Sequence, residues 1–347
     1  MESAIVIKAK EKEDGLKKLT KDLGKCISKG SEILEEKQKL KTLQICPALD
    51  FALNGGVQEG SWVTVIGLPK TGKTSTVLQI AANAQKEGRK VIYLDGEGRI
   101  KSHNLVGIEG LDLEAMDIVH APEDRILSAE EFLSILEILI QKPENEGAVV
   151  IIDSVSSLIP SRDLQTMVNG ERRAGLPKIM GDFTRRMGQV IPRSKTIVIM
   201  ISHLIANTSG FGKKNLPDGG IKIQYQTDTV IQVKKSEPWL ESDRKIGQII
   251  HWTIATSSLG ASGTGATSYF RYNKGLDFVQ EMIMLADDFD VINKSGAWYT
   301  CSFMEKHDKE WDEKKYKFQG QANLYKYLDA NPKVMKILQQ EMKEFLE

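Results

Sequence analysis

The sequence predicts an α/β protein built on a mostly parallel, twisted sheet, with a helical arm before this core and a small α-rich domain after it. Two observations support this prediction. Between residues 62 and 201, short β-branched apolar runs alternate with helical patterns, and strands joined through helices pair in parallel beneath helices on both faces. Beyond Gly219 the apolar period shifts toward two, which indicates antiparallel strands that extend the sheet. The 347 residues suffice for one large core with attachments.

The first 45 residues are rich in lysine and glutamate, but an apolar stripe at helical spacing runs through them. Its members are Leu16, Leu19, Leu23 and Ile27. The stripe predicts an amphipathic helix, which could pack on its own core or dock on a neighbouring subunit.

The core elements follow in chain order. The predicted strands cover residues 62–66, 90–95, 148–152 and 196–201, then 228–234 and 248–255. The predicted helices between the first four strands cover residues 75–85, 130–141 and 178–190.

The tail changes character again. Asn331 followed by Pro332 is a helix-start signal, and the helix that follows has one apolar face. That face comprises Val334, Ile337, Leu338, Met342 and Phe345. The predicted division is therefore a helical arm at 1–45, an α/β core at 46–277 and a C-terminal domain at 278–347.

The composition excludes several classes of protein. With 41% hydrophobic and 27% charged residues, the chain is neither disordered nor collagen-like. No run approaches the ~18–20 apolar residues of a membrane span, and no signal-peptide pattern opens the chain, so we expect a cytoplasmic protein. The three cysteines lack the spacing of a metal site or a disulfide framework. Basic and acidic residues both number 47, so any nucleic-acid binding would come from local surfaces.

A glycine-rich segment between the first predicted strand and helix matches the phosphate-binding pattern G-x-x-x-x-G-K-[ST]. Its residues, with the adjoining serine, are Gly67, Leu68, Pro69, Lys70, Thr71, Gly72, Lys73, Thr74 and Ser75. The backbone N–H groups of such a loop converge on phosphate oxygens at a helix N-terminus. Lys73 would neutralise the β- and γ-phosphates of ATP, and the Thr74 hydroxyl would hold Mg²⁺. The alternative is an ordinary glycine-rich turn.

Two carboxylates follow neighbouring predicted strands. Asp153 ends the apolar run 149–152, where the Asp that supports Mg²⁺ stands in sites of this kind. Glu97 follows the strand 90–95 and could accept a proton from the attacking water. Taken alone, Asp153 could be a cap and Glu97 a solvated loop charge.

Together these residues resemble the RecA family of strand-exchange recombinases. The phosphate loop, residues 93–97 and residues 149–160 match three core motifs of that family in order and spacing. The resemblance continues through Gly219-Gly220, through 272–278 and through 296–299 to the C-terminal helices, and so covers nearly the whole chain. The C-terminal part resembles the bacterial branch.

The resemblance implies an ATP-dependent enzyme that forms helical filaments on single-stranded DNA, pairs it with homologous double-stranded DNA and exchanges strands during DNA-dependent ATP hydrolysis. It implies that Glu97 is the catalytic glutamate and that Tyr272 binds the nucleotide. His203 stands where bacterial RecA has a glutamine that senses the γ-phosphate. Phage UvsX-like recombinases are similar in this histidine, which favours a phage-type protein in a bacterial host. Single-strand-binding and loading proteins are further partners that the resemblance suggests.

Two segments, 162–175 and 204–220, match the DNA-binding loops of the family. The residues expected to contact DNA are Arg172, Arg173, Ile205, Phe211, Lys213, Lys214, Gly219 and Gly220. Basic side chains attract phosphates and apolar ones stack on or separate bases, as single-strand binding requires. Without the resemblance, both segments would be interpreted as surface loops.

One departure from the family concerns two lysines that reach the γ-phosphate across the subunit interface in bacterial RecA. The matching residues here are Thr256 and Ser258, within a stretch, 253–267, that contains no lysine. Lys274 or another base could substitute, a monovalent cation such as K⁺ could fill the gap, or cross-subunit activation could be weak. Two alternative functions stay open at this point: a RecA-fold hexameric helicase, and an ATP-binding paralogue or mediator that hydrolyses poorly.

Overall fold

The computed structural model describes residues 24, 26–98, 100, 102–164, 175–206, 215–217, 226–260 and 262–345. The chain divides into two compact units, residues 1–41 and 42–347, which are described separately. In the first unit, helix α1 (Gly30–Gln38) has no buried residue. Of the predicted leucine-rich stripe only Ile27 is described, and it is exposed; Leu16, Leu19 and Leu23 lie outside the described residues.

The second unit begins with the elements that form the nucleotide-binding half of the core. In chain order they are β1 (Thr42–Leu43), α2 (Pro47–Ala52), β2 (Val57–Gln58), β3 (Trp62–Gly67), α3 (Lys73–Lys86), β4 (Val91–Asp95), α4 (Ser102–Val106), β5 (Met116–Val119), α5 (Ala129–Ile140), β6 (Val149–Asp153), α6 (Ser161–Leu164), α7 (Leu176–Met187) and α8 (Val190–Arg193).

The remaining elements complete the sheet and form the C-terminal part. They are β7 (Ile197–Ala206), β8 (Asn215–Pro217), β9 (Thr229–Glu241), β10 (Arg244–Thr256), β11 (Gly265–Arg271), β12 (Gly275–Leu276), α9 (Phe278–Asp288), β13 (Asn293–Ser295), β14 (Trp298–Thr300), β15 (Lys317–Gln319), α10 (Gln321–Ala330) and α11 (Pro332–Lys343).

The central sheet is mixed but mostly parallel, as the sequence predicts. Its order within the described residues is β12-β11-β10-β9-β3-β7-β6-β4-β5, with β8 paired to β7. The strands from β9 to β5 in this order run parallel, and β10, β11 and β12 continue the sheet in antiparallel fashion. Because the parallel strands end on one edge, the segments that follow β3, β4, β6 and β7 meet there.

Alternation along the buried strands places side chains on both faces of this sheet. Val63, Val91 and Ile151 lie in one apolar cluster with residues of α3. Ile92 and Val150 lie in another with residues of α5 and α7. The sequences of these strands are continuous apolar runs, because helices cover both faces of the sheet.

The C-terminal part differs from the prediction in two respects. The expected helices are present, and α11 begins at Pro332 as predicted, but β13, β14 and β15 add a small antiparallel sheet. Of the predicted apolar face of α11, Val334, Leu338 and Met342 are buried, as is Met335, whereas Phe345 lies beyond the end of the helix and is exposed. Within the described residues, no helix is long and apolar enough to cross a membrane.

Candidate nucleotide site

The phosphate loop connects the end of β3 to the start of α3, at the sheet edge where the parallel strands end. Gly72 adopts a positive φ of 91°, which favours glycine. A Cβ at this position would also crowd Cδ1 of the Ile250 side chain, which would have to move. The N–H groups in the first turn of α3 therefore face a concave loop that suits phosphate oxygens.

Lys73 begins α3 and bridges the loop. Its Nζ donates hydrogen bonds to the carbonyl oxygens of Gly67, at 3.0 Å, and Leu68, at 2.8 Å. Burial lowers the pKa of Lys73 to about 8, and the negative charges of Asp153 and Glu97 oppose that shift. The ammonium group of Lys73 is thus held at the loop by carbonyl oxygens, which are weak acceptors. Phosphate oxygens are charged and would be stronger acceptors for it.

Asp153 ends β6 next to the loop and is buried. Its Oδ2 accepts hydrogen bonds from the Thr74 hydroxyl at 2.7 Å and from the Tyr93 hydroxyl at 2.6 Å. Burial raises the pKa of Asp153, the two hydrogen bonds oppose that shift, and the nearby charge of Glu97 adds to it. The orientation of this carboxylate beside the phosphate loop is therefore constrained, and its oxygens are candidate metal ligands.

Glu97 and His203 are in contact although 106 residues separate them. His203 Nε2 lies 3.0 Å from Glu97 Oε1, and the Ser154 hydroxyl donates to the same oxygen at 3.0 Å. The backbone N–H of His203 donates to the Ser156 hydroxyl at 3.0 Å. His203, within β7, is thereby hydrogen-bonded to the segment after β6, and a displacement of Glu97 would change its contact with His203.

These side chains line one open cavity of about 1070 Å³. Its floor is the phosphate loop with Asp153, and Glu97 and His203 lie on its wall. A second wall brings Gln248, Phe270, Tyr272 and Asn273 from the antiparallel part of the sheet, and Tyr272 is 40% exposed. The cavity therefore combines a phosphate cradle with an aromatic surface for a nucleobase.

The donors at this site fit Mg²⁺ bound together with a nucleotide. Magnesium takes hard oxygen ligands, typically a hydroxyl or carboxylate combined with phosphate oxygens and water. Thr74 and Asp153 supply such oxygens, and the Thr74 hydroxyl can donate its proton to Asp153 while offering a lone pair to the metal. Among the described residues, no cluster of three His, Cys, Asp or Glu could hold a metal ion without a nucleotide.

Most of the residues predicted to contact DNA lie outside the described part of the chain. Arg172, Arg173, Phe211, Lys213, Lys214, Gly219 and Gly220 lie outside the described residues. The backbone of Ile205 is described, and it pairs with Leu216 across β7 and β8. Ile205 lies two residues after His203 on β7, so one candidate segment begins on the strand that leaves the nucleotide cavity.

Three residues of the site were missed in the sequence. Tyr93 opens the 93–97 motif within an apolar strand, and its hydroxyl is the one feature that marks it as a residue that needs a polar partner. Ser154 lies within the motif at 149–160, but no pattern marks its hydroxyl as a partner of Glu97, and Gln248 stands in no recognisable motif.

The fold and the site together define a P-loop ATPase with an α/β core. Family comparison then identifies it more closely: the chain matches the RecA N-terminal domain over residues 10–277 and the RecA C-terminal domain over residues 280–347. The chain belongs to the RecA family.

Several bacterial proteins named Protein RecA are similar to this chain. That of Mesoplasma florum is 27% identical over 84% of this chain and 83% of its own length. That of Mycoplasma mycoides subsp. mycoides SC is 28% identical over 96% of this chain and 92% of its own. That of Thermotoga neapolitana is 25% identical over 96% and 93%.

Family membership carries the general activity. The chain is an ATP-dependent recombinase of the strand-exchange type, a DNA-dependent ATPase that assembles on single-stranded DNA. The helicase and the non-catalytic paralogue are not favoured by these similarities. The phage-type origin suggested by His203 is not supported by these bacterial relatives and stays a hypothesis.

Proposed function

We propose that the cavity described above is where this recombinase hydrolyses ATP, with Glu97 as the group that accepts a proton from the attacking water. The observation that carries this proposal is the convergence of Glu97, Lys73, Asp153 and His203 on one cavity beside the phosphate loop. Glu97 lines the cavity beside the phosphate loop, and a carboxylate in such a position can act as the general base for the attacking water.

In this proposal the loop residues from Gly67 to Ser75 bind the phosphates and Tyr272 contacts the base. Lys73 compensates the charge of the β- and γ-phosphates. Thr74 and Asp153 hold Mg²⁺, which neutralises phosphate charge when it is bound. Residues 69–75, Asp153 and Tyr272 line the cavity, and the carbonyl oxygens of Gly67 and Leu68 accept hydrogen bonds from Lys73.

His203 is proposed to couple the nucleotide to DNA. Its contact with Glu97 gives it a direct connection to the reacting end of the cavity. Its strand continues to Ile205 and then to the predicted DNA-contacting segment 204–220. A shift of Glu97 on ATP binding would therefore move the start of that segment. The DNA contacts themselves, from Arg172 to Gly220, stay a proposal based on the resemblance and on charge.

The division into an arm at 1–45, a core at 46–277 and a C-terminal domain at 278–347 is also proposed. The two family matches meet between residues 277 and 280, and a third apolar cluster is built from residues after 278. The edge strand β5 is a candidate for subunit contact, because Leu113, Ile118 and Ile126 are exposed on it or beside it in sequence.

A monovalent cation, K⁺, is proposed to serve at the subunit interface where the family lysines are replaced. Thr256 and Ser258 are exposed and do not line the cavity of their own chain, so they are free to face a neighbour. Single-strand-binding and loading proteins and a cytoplasmic location remain predictions.

Glu97→Gln tests the catalytic assignment. The amide keeps the shape of the side chain but cannot accept a proton, so we expect ATP binding to persist while DNA-dependent hydrolysis falls about 100-fold. Steady-state turnover and nucleotide affinity are measured on the same preparation.

Glu144→Gln is the matched control, since Glu144 is exposed in the turn that precedes β6, away from the cavity. It should behave as the unmodified protein. A Glu97→Gln protein that binds ATP poorly yet turns over each bound ATP at the normal rate would show that Glu97 is structural.

A further inference from the structure

Tyr93 is a buried tyrosine on β4, one strand in from the β5 edge of the sheet, and the proposed reaction does not use it. It lies in β4, paired in register with Ile151 of β6 and Ile118 of β5, and its side chain belongs to the apolar cluster on the α3 face. The residue is 1% exposed. Packing on all sides fixes the ring, so its hydroxyl has one accessible position.

That hydroxyl donates to Asp153 Oδ2 at 2.6 Å, and the Thr74 hydroxyl donates to the same oxygen at 2.7 Å. Among the residues that the structure describes, no donor is bonded to Oδ1 of Asp153. Both donors therefore hold one carboxylate oxygen, and the other oxygen would be available to Mg²⁺.

A single donor would fix this carboxylate poorly. The terminal torsion of an aspartate side chain is broad, so one hydrogen bond permits substantial rotation. Thr74 is a short side chain on the helix that must also offer a lone pair to the metal. Tyr93 approaches from the neighbouring strand, and the two donors arrive from different elements. The rigid phenol thus restricts rotation that Thr74 alone would permit.

The burial of Asp153 and the negative charges around it favour additional hydrogen bonds to its carboxylate. Asp153 is 8% exposed, and Asp95 and Glu97 both bring negative charge close to it. A carboxylate among like charges gains from each additional donor, since every hydrogen bond offsets part of the cost of burying it.

We propose that Tyr93 is a positioning residue for Mg²⁺ binding: its hydroxyl orients the carboxylate of Asp153 so that the free oxygen faces the metal beside Thr74. The inference rests on the proposed function, in which Thr74 and Asp153 hold the metal. It assigns to the tyrosine hydroxyl a role distinct from the packing role of the ring.

Tyr93→Phe removes this hydroxyl and keeps the ring. Affinity for a fluorescent ATP analogue is measured in EDTA and then across a Mg²⁺ titration, so that the readout is binding rather than turnover. We expect an unchanged affinity in EDTA and a Mg²⁺ midpoint raised about 10-fold, as is usual when the partner of a metal ligand is removed.

Tyr316→Phe is a closely matched control. The Tyr316 hydroxyl also donates to a carboxylate, Asp308 Oδ2, at 2.6 Å, and the residue is buried in the C-terminal part away from the cavity. It should leave the Mg²⁺ midpoint unchanged. Circular dichroism melts set a temperature below the onset of unfolding of the least stable variant, at which all proteins are compared.

Asp153→Asn separates this inference from the proposed function. If Asp153→Asn raises the Mg²⁺ midpoint and Tyr93→Phe adds nothing in that background, Tyr93 acts through Asp153. If Asp153→Asn raises the midpoint but Tyr93→Phe alone does not, the inference about Tyr93 is wrong and the metal site stands. If Asp153→Asn has no effect, the proposed metal site fails and the inference with it. Equal weakening by Tyr93→Phe in EDTA and in Mg²⁺ would also overturn the inference.

Discussion

Glu281 is a carboxylic acid buried completely at the junction of α9, α2 and β11. The backbone N–H groups of Ala48 and Tyr269 donate to its two oxygens, at 3.1 and 3.3 Å. Burial raises the pKa of Glu281 to about 7 despite these hydrogen bonds. Its neighbour Cys46 is buried and its neighbour Asp50 is partly buried, and desolvation raises the pKa of each. The folded protein therefore favours protonated Glu281.

Stability should consequently fall as the pH rises through neutrality. A carboxyl group whose pKa is higher in the folded state binds its proton more tightly there, so the stabilisation is complete below about 4.5 and is lost as the pH rises through about 7. In Glu281→Gln this part of the pH dependence should disappear, although the protein should be less stable overall, because the amide NH₂ cannot accept a backbone N–H.

Urea unfolding at several pH values measures this effect. Glu144→Gln, which changes an exposed carboxyl group, should keep the original slope of unfolding free energy against pH. A Glu281→Gln protein with that same slope between pH 4.5 and 7 would assign the dependence to Asp50 or to other groups.

At the scale of the elements, the sequence is most informative where strands are buried on both faces. The bounds of β3, β4 and β6 agree with the prediction within one residue, because apolar side chains on two faces leave a continuous signal. Strand β7 starts within one residue of its predicted start but continues to Ala206, five residues beyond the predicted end. The strands β13, β14 and β15 have three residues each, which is too short to display a period of two. Strand β5 was missed because Asp117 and Ile118 are exposed at the sheet edge.

The site shows the same contrast. The phosphate loop could be predicted because its chemistry demands fixed spacing within eight consecutive residues, Gly67 to Thr74. The contact between Glu97 and His203 depends instead on β4 and β7 ending at one edge of the sheet. The hydrogen bond from Tyr93 to Asp153 depends on a ring direction that a pattern of apolar residues does not encode.

The two predicted DNA loops carry a prediction at this scale. Changing Arg172, Arg173, Lys213 and Lys214 to glutamine should weaken binding of single-stranded DNA with little dependence on base sequence. Each lost phosphate contact should make the slope of log affinity against log salt shallower by about 0.7, so the full variant should lose up to roughly 3.

Lys142→Gln combined with Lys195→Gln is the control, since these residues precede β6 and β7 and so lie at the opposite edge of the sheet. Fluorescence anisotropy across a salt series gives both quantities. An unchanged affinity and slope in the fourfold variant would place the DNA on another surface.

At the scale of the whole molecule, the contacts of Lys274 restrict which group can complete the ATP site across a subunit interface. Lys274 Nζ donates to the Tyr325 hydroxyl at 3.1 Å and lies 3.7 Å from Asp329, both on α10. Partial burial lowers the pKa of Lys274, but Tyr325 and nearby carboxylates outweigh it and the net shift is upward. The lysine thus joins the sheet to the C-terminal helices of its own chain. To serve a neighbour, it would first have to leave these partners.

A cation from solution then becomes the better candidate to act at the interface. The stretch 253–267 contains no lysine, and hydroxyl groups such as those of Thr256 and Ser258 can coordinate a cation but supply no charge. We expect DNA-dependent ATP hydrolysis to be at least about 10-fold faster in potassium than in choline salts, in line with the loss seen when one charge-stabilising group is removed. Rates are compared in potassium, sodium and choline at matched ionic strength, because screening acts equally in all three. Lys274→Met in potassium is the companion measurement, and it should leave the potassium preference in place. Equal rates in the three salts, together with a loss of activity in Lys274→Met, would transfer the role from the cation to Lys274.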